Sequence, residues 1–320
     1  PYRQPLANPG WEDGIYISRD GLDLYCVYVP GDLLSFTLAG LNPDQFGSYL
    51  RGPLFGMDLV TNPAGRSSWI HSDILYAHRD SASESFTAWT NSSISQATWS
   101  EGAPYATGKS GSTLAFFVYT SNHNFTGSTP RYDTDIWFVK NTSIDPSTTG
   151  ASDFSTTFIS PTLYDKNEDN PDHEIIDSLN MVLFFDSDNY TGNVGSHDIW
   201  YMTSSDAGTS WTGPLNVSTV NTVAQENQPH LFKSGSDWYL YYSATHTDGK
   251  LAIFRCKQTI ANDWNSWGTE ELVVSAGTTA GVGEPTLTAN GDLSFVVIYD
   301  NGKTGSTDRY DADPWFLPIK

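Results

Sequence analysis

Cysteine is nearly missing from this 320-residue chain. Cys26 and Cys256 are its only two, each inside an apolar run, so no disulfide framework is available and two buried thiols are the simplest reading. Basic residues are scarce as well: 16 Lys and Arg stand against 37 Asp and Glu, a formal net charge of −21. Such a surface repels nucleic-acid phosphates and anionic membranes, which excludes nucleic acid as a partner. Strongly anionic polysaccharides would need a local basic site that the sequence does not offer. Neutral glycans and divalent cations remain. No apolar run approaches the roughly 20 residues that span a bilayer, and no window shows a sustained helical period. A chain beginning Pro1-Tyr2 is not a translated start, so a secreted or periplasmic protein that has lost its leader is expected. The sequons at Asn91, Asn124, Asn141, Asn189 and Asn216 are no more than chance supplies in a chain this rich in Asn, Ser and Thr.

Aromatic residues, by contrast, are plentiful: 11 Trp, 17 Tyr and 16 Phe. With many Gly, Ser, Thr and Asn between them they favour short strands and turns over helices. One phrase recurs. Glu226-Asn227-Gln228-Pro229 leads into an aromatic strand, Trp238–Ser243, and a third strand at Leu251–Phe254. Glu101-Gly102-Ala103-Pro104 and Glu168-Asp169-Asn170-Pro171 open the same sentence, and Glu12-Asp13-Gly14 and Gly283-Glu284-Pro285 open looser versions of it. From the second unit onward the entries fall about 58 to 67 residues apart. The segment Gly127–Phe138 recurs as Gly305–Phe316 with nine of twelve positions identical. A unit of three or four strands cannot bury both faces alone, whereas radial stacking lets each sheet cover its neighbours. The prediction is an all-β, five-bladed β-propeller forming a single domain over residues 1–320. Its blades open near residues 12, 101, 168, 226 and 284, with an insertion at about 30–72 in the first. Ring closure is expected to pair a strand within residues 1–17 with the last blade.

The Glu-x-x-Pro entry, the aromatic strand, Asp198-Ile199-Trp200 and Trp211-Thr212-Gly213-Pro214 together resemble the TolB-type propeller repeat, most clearly over residues 168–255. Ser204–Trp211 looks like an Asp-box of the sialidase kind, a structural turn that implies no catalysis. Five blades with an acidic residue at each inner-strand entry are also similar to glycoside hydrolase family 43. That resemblance implies a base, a pKa-tuning carboxylate and a general-acid Glu at successive entries. The matching positions are Glu12 or Asp13, Glu101 and Glu168. Trp99–Pro104 partly matches that family's Trp-Ala-Pro entry. Blade one, however, lacks the Asp-Pro pair, and Tyr105 stands where a second Asp would follow the proline.

Inverting glycoside hydrolysis needs one protonated and one ionised carboxyl, and crowded carboxylates keep protons by mutual repulsion. Glu12, Asp13, Glu101 and Glu168 are therefore the candidate catalytic groups. Trp99 and Tyr105 would form a stacking wall, and Glu226, Glu284, His173, His230, Arg131 and Arg309 complete a substrate-binding set. A Glu repeated in every blade has a structural explanation too, as an acceptor of backbone bonds between blades. Asp186 and Asp188 supply hard oxygens at short spacing, as do Asp133 with Asp135 and Asp311 with Asp313. Ca²⁺ is the ion they suit, although no cofactor is required. Three functions stay open: a glycoside hydrolase acting on a glycan by inverting acid/base chemistry, a non-catalytic glycan- or protein-binding propeller of a cell envelope, and a metal-dependent lyase or hydrolase using His173 and His230.

Overall fold

The computed structural model describes residues 7–55, 71–92, 94–95, 99–122, 133–145 and 166–318, with the backbone alone of 2–3 and 43–44. Among these, runs such as Asp23–Val29 and Met181–Ser187 are buried along nearly their whole length. Strands buried on both faces need a cover on each side, and neighbouring sheets provide it. The chain is a five-bladed β-propeller. Blade one contains Trp11–Ile17, Asp23–Val29, Asp73–His78 and Thr90–Asn91. Blade two contains Glu101–Thr107, Thr113–Ser121 and Asp135–Ser143. Blade three runs Asp169–Ile175, Met181–Ser187, Asp198–Ser204 and Thr212–Asn216. Blade four runs Glu226–Ser234, Asp237–Thr245, Leu251–Lys257 and Glu271–Val274. Blade five has Gly281–Leu287, Leu293–Asp300 and Tyr310–Leu317.

Closure is made twice over. Tyr2–Arg3 pairs antiparallel with the last strand, Tyr2 opposite Phe316, and Ala312 of that strand pairs in parallel with Trp11. The hydrophobic core is correspondingly divided into clusters that lie between adjacent blades. One joins blades one, two and three through Tyr25, Phe117 and Leu183, and others join five to one, three to four and four to five. Asp206 caps its turn by accepting from the N–H groups of Thr209 (3.1 Å) and Ser210 (2.8 Å).

One irregularity repeats around the ring. Every inner strand slips register at the same point, between Asp13 and Tyr16, Gly102 and Tyr105, Asn227 and His230, Gly283 and Thr286, and opposite Phe184–Asp186 in blade three. At the slip stands a residue of positive φ: Gly14 (50°), Ala103 (43°), Asn170 (50°), Gln228 (56°) and Glu284 (56°). In four blades the next residue is proline, which has no N–H for the ladder and so favours a bulge. Blade one has Ile15 there instead.

The described first part of the insertion, residues 30–55, borders the ring entrance. Its short helix, Leu33–Leu38, is capped by Asp32, whose Oδ1 accepts the Ser35 N–H at 2.9 Å. The other oxygen, Oδ2, accepts the N–H groups of Arg309 (2.7 Å) and Tyr310 (2.8 Å), which ties the insertion to blade five. No helix among the described residues is long and apolar enough to cross a membrane.

Candidate active site: a carboxyl mouth on the ring axis

Strand alternation sends successive side chains to opposite faces, and the bulge breaks that rule. Asp13 with Gly14, Gly102 with Ala103, Asp169 with Asn170 and Asn227 with Gln228 therefore all line one cavity of about 600 Å³, where Glu284 joins them from blade five. Asp186, Glu101 and His197 also reach it, and Leu33, Phe36, Leu41, Val27 and Val29 form its apolar wall.

The carboxyls form two couples. In the first, Asp13 Oδ2 accepts Trp11 Nε1–H at 2.9 Å, and Glu284 shares a hydrogen bond with Asp13. In the second, Asp169 Oδ1 accepts the Asn170 N–H (2.9 Å) and the Thr120 hydroxyl (3.2 Å), while Asp186 Oδ2 accepts the Gln228 N–H and Asn170 Nδ2–H, both at 2.8 Å. Gln228 bridges the couples, because its Nε2 donates to Glu284 Oε1 at 2.5 Å and its Oε1 accepts the Glu284 N–H at 3.1 Å. Burial pushes Asp186 up to about 8, with repulsion from Asp169 adding to it. Asp169 is raised too, first by burial. Glu284 is held well above the carboxylate range, mainly by burial and then by Asp13, so the proton between them rests on Glu284. The mouth thus holds carboxyls, Asp186 and Glu284, that keep their protons toward neutral pH.

Below the bulges the channel narrows to about 30 Å³ between the proline turns, Tyr105 and His230. Its far end is closed by Arg19, which reaches in from the turn after the first inner strand. Arg19 donates to Leu287 O (2.9 Å), Leu231 O (2.6 Å), Tyr105 Oη (3.1 Å) and His230 Nε2 (3.0 Å), and pairs with Glu174.

Three of the repeated glutamates, Glu12, Glu168 and Glu226, lie outside the cavity and match the structural alternative named for them. Glu12 Oε1 accepts the Asn8 N–H (2.6 Å), and Glu226 Oε2 accepts the Thr222 N–H (2.8 Å), each four residues back. Glu168 receives the Tyr190 hydroxyl. All three are buried, one residue out of phase with the mouth, and of the repeated set Glu101 lines the cavity. Trp99 is buried and does not line it, and Tyr105 lies beneath the bulges with its hydroxyl on Glu174 (2.9 Å), so neither forms the mouth's wall.

His173 and His230 do not converge. His173 Nδ1 meets Thr107 Oγ1 at 3.1 Å between blades two and three, and burial drops it to about 3. His230 carries its proton on Nδ1, 2.9 Å from Asp172, because Nε2 faces two donors, Arg19 and the Leu287 N–H. Asp186 and Asp188 part company as well: Asp188 is exposed and accepts Asn167 Nδ2–H. No group of three or more His, Cys, Asp or Glu among the described residues is arranged to hold a metal ion. Arg309 forks onto Asp300 (2.9 and 2.7 Å) and stacks on Tyr310, away from the mouth, and Arg131 lies outside the described residues.

Solved structures share this architecture. A xylan β-1,4-xylosidase from Bacillus halodurans superposes with a TM-score of 0.57 over the whole chain at 15% identity. The chain spans 55% of that enzyme's length. A thermostable family-43 glycoside hydrolase matches with a TM-score of 0.55 at 11% identity, covering 100% of this chain and 94% of the other. This chain has their fold. So does an N-acetylgalactosamine deacetylase from F. plautii (TM-score 0.55, 10% identity, 98% of this chain and 91% of that one), so the scaffold carries more than one chemistry. No protein-family model matches the sequence, and no curated protein matches it significantly.

Proposed function

We propose that the chain is a glycan-directed hydrolase working by inverting acid/base chemistry in the mouth. The observation that carries this reading is the pair of carboxyl couples, from blades one and five on one side and blade three on the other. Inversion needs an acid and a base far enough apart to admit sugar and water, about 6.5–9.5 Å. Asp13 and Glu284 share a hydrogen bond and are too close for that, so the working pair is drawn from different couples. Asp186 is the acid: two N–H groups occupy its Oδ2, leaving Oδ1 to carry the proton that passes to the departing glycosidic oxygen. Asp13 is the base. Trp11 and protonated Glu284 both donate to it and orient it to take a proton from water as the water attacks the anomeric carbon. Burial first, and Asp169 second, keep Asp186 protonated. The apolar wall of Leu33, Phe36 and Leu41 supports a neutral sugar face.

A purely binding propeller is the second reading. Against it stands the asymmetry of the mouth: the two bulge positions are Asp-Gly, Gly-Ala, Asp-Asn, Asn-Gln and Gly-Glu in turn, which suits one oriented site better than five equivalent ones. The test is reducing-end release from xylo-, arabino- and cello-oligosaccharides, with the anomer of the first product followed by NMR. Asp13→Asn and Asp186→Asn should each lower turnover by about 10²- to 10⁴-fold, and Glu168→Gln should leave it near wild type. Full activity of both Asp variants would end the assignment.

A further inference from the structure

We infer that Arg19 is the positioning residue of the carboxyl mouth: one guanidinium, entering from the opposite face, clamps the inner strands of all five blades beneath the bulges and so fixes the direction of Asn170, Gln228 and Glu284. It deepens the hydrolase reading and rests on that reading for its kinetic consequence. Arg19 itself follows the inner strand of blade one, two residues past Ile17. Its partners lie on the other four: Tyr105 on blade two, Glu174 on blade three, His230 and Leu231 on blade four, Leu287 on blade five.

Each partner stands two to four residues past the positive-φ residue of its own strand: Tyr105 past Ala103, Glu174 past Asn170, His230 and Leu231 past Gln228, Leu287 past Glu284. At a strand rise of about 3.3 Å per residue the clamp lies about 7–13 Å below the mouth. The space between is only about 30 Å³, room for about one water, so little separates clamp from mouth. Four of the five bulge residues are not glycine and hold a conformation that side chains disfavour. Such positions persist where surrounding structure over-determines them, and the clamp is the element that all five strands share.

Lysine cannot do the same. A guanidinium is a planar fork with five donors, whereas an ammonium is a compact point charge with three. The partners are themselves fixed, since Tyr105 also donates to Glu174 (2.9 Å) and Asp172 holds His230 Nδ1 (2.9 Å).

The experiment compares Arg19→Lys and Glu174→Gln with wild type. Melting temperature, carboxyl ¹³C titration of Asp186 and Glu284, and kcat and KM on the glycan found by the panel are all measured. With Arg19→Lys folded, both titration midpoints should move toward the ordinary carboxylate range as water enters the mouth. Turnover should fall about tenfold or more with KM within about twofold. A lower melting temperature with unchanged midpoints and kcat would mean that Arg19 is only structural, and the inference falls. Should Arg19→Lys fail to fold, Glu174→Gln decides: it must shift the same midpoints in the same direction, and no shift overturns the idea. If wild type cleaves no glycan, the hydrolase reading fails and the titrations alone judge Arg19.

Discussion

Replacing Asp186 with Asn should make the protein more stable as pH rises. The carboxyl is 2% exposed, and burial with Asp169 nearby lifts it to about 8 against an ordinary value of 3.8. Between those values the native state keeps a proton that the unfolded chain has released. Stability attached to this group is therefore fully present below about pH 4 and is lost as pH climbs toward 8, by about 1.4 kcal/mol per pH unit. Over the whole window the loss is on the order of 5 kcal/mol, a large part of the 5–15 kcal/mol that holds a typical domain together. Asparagine avoids it. Its oxygen can accept the Gln228 and Asn170 N–H groups as Oδ2 does now, and its amide replaces the protonated oxygen without ever ionising. Asp169, freed of a charged neighbour, is relieved in the same direction. Urea melts of both proteins at pH 5, 6, 7 and 8 should show the variant's advantage growing by about 1 kcal/mol or more per unit, while glycan cleavage is lost. A difference that stays flat with pH, or a variant equally weakened throughout, would refute the buried, proton-holding couple on which the proposed acid depends.

Gly14→Ala should destabilise by about 1–3 kcal/mol, because its φ is 50° and an added Cβ would come within 2.6 Å of Val27 Cγ2 and 3.3 Å of Ala103 Cα. An unchanged melt would show that the bulge of blade one relaxes freely. His173→Gln should flatten the acid limb of stability. Native His173 stays neutral down to about 3 while the unfolded residue takes up a proton near 6.5, so wild type loses stability as pH falls through that interval. Equal acid slopes in denaturant titrations from pH 4 to 7 would contradict this.

Much of the ring was readable because Glu-x-x-Pro marks the start of the inner strand in three blades and aromatic runs mark the strands behind it. The mouth was harder to find. Repetition drew attention to Glu12, Glu168 and Glu226, yet a residue kept in register around a ring is the one that closes each blade. The two positions between Glu and Pro vary from blade to blade, and they are what the bulge turns inward. Nothing local in Ala103, Gln228 or Glu284 announces a left-handed backbone, and blade one achieves the same bulge with Ile15 after Gly14. Asp186 and Asp188 looked like a pair because they supply hard oxygens at short spacing. The strand ends at Ser187, and Asp188 turns away with the loop. Arg19 carries no signal at all in the sequence, since its partners lie between 86 and 268 residues away.

Because that arginine bars the far end of the axis, the mouth among the described residues opens on one face of the ring, while the other face carries a separate pocket that Arg19 itself lines. A long polymer cannot thread through the hub as through a pore. On the proposed reading a polymer drapes across the entrance or presents one end to it, and the product leaves by the way it came. On that reading the Leu33–Leu38 helix, which borders the entrance, stands in the path of both admission and exit.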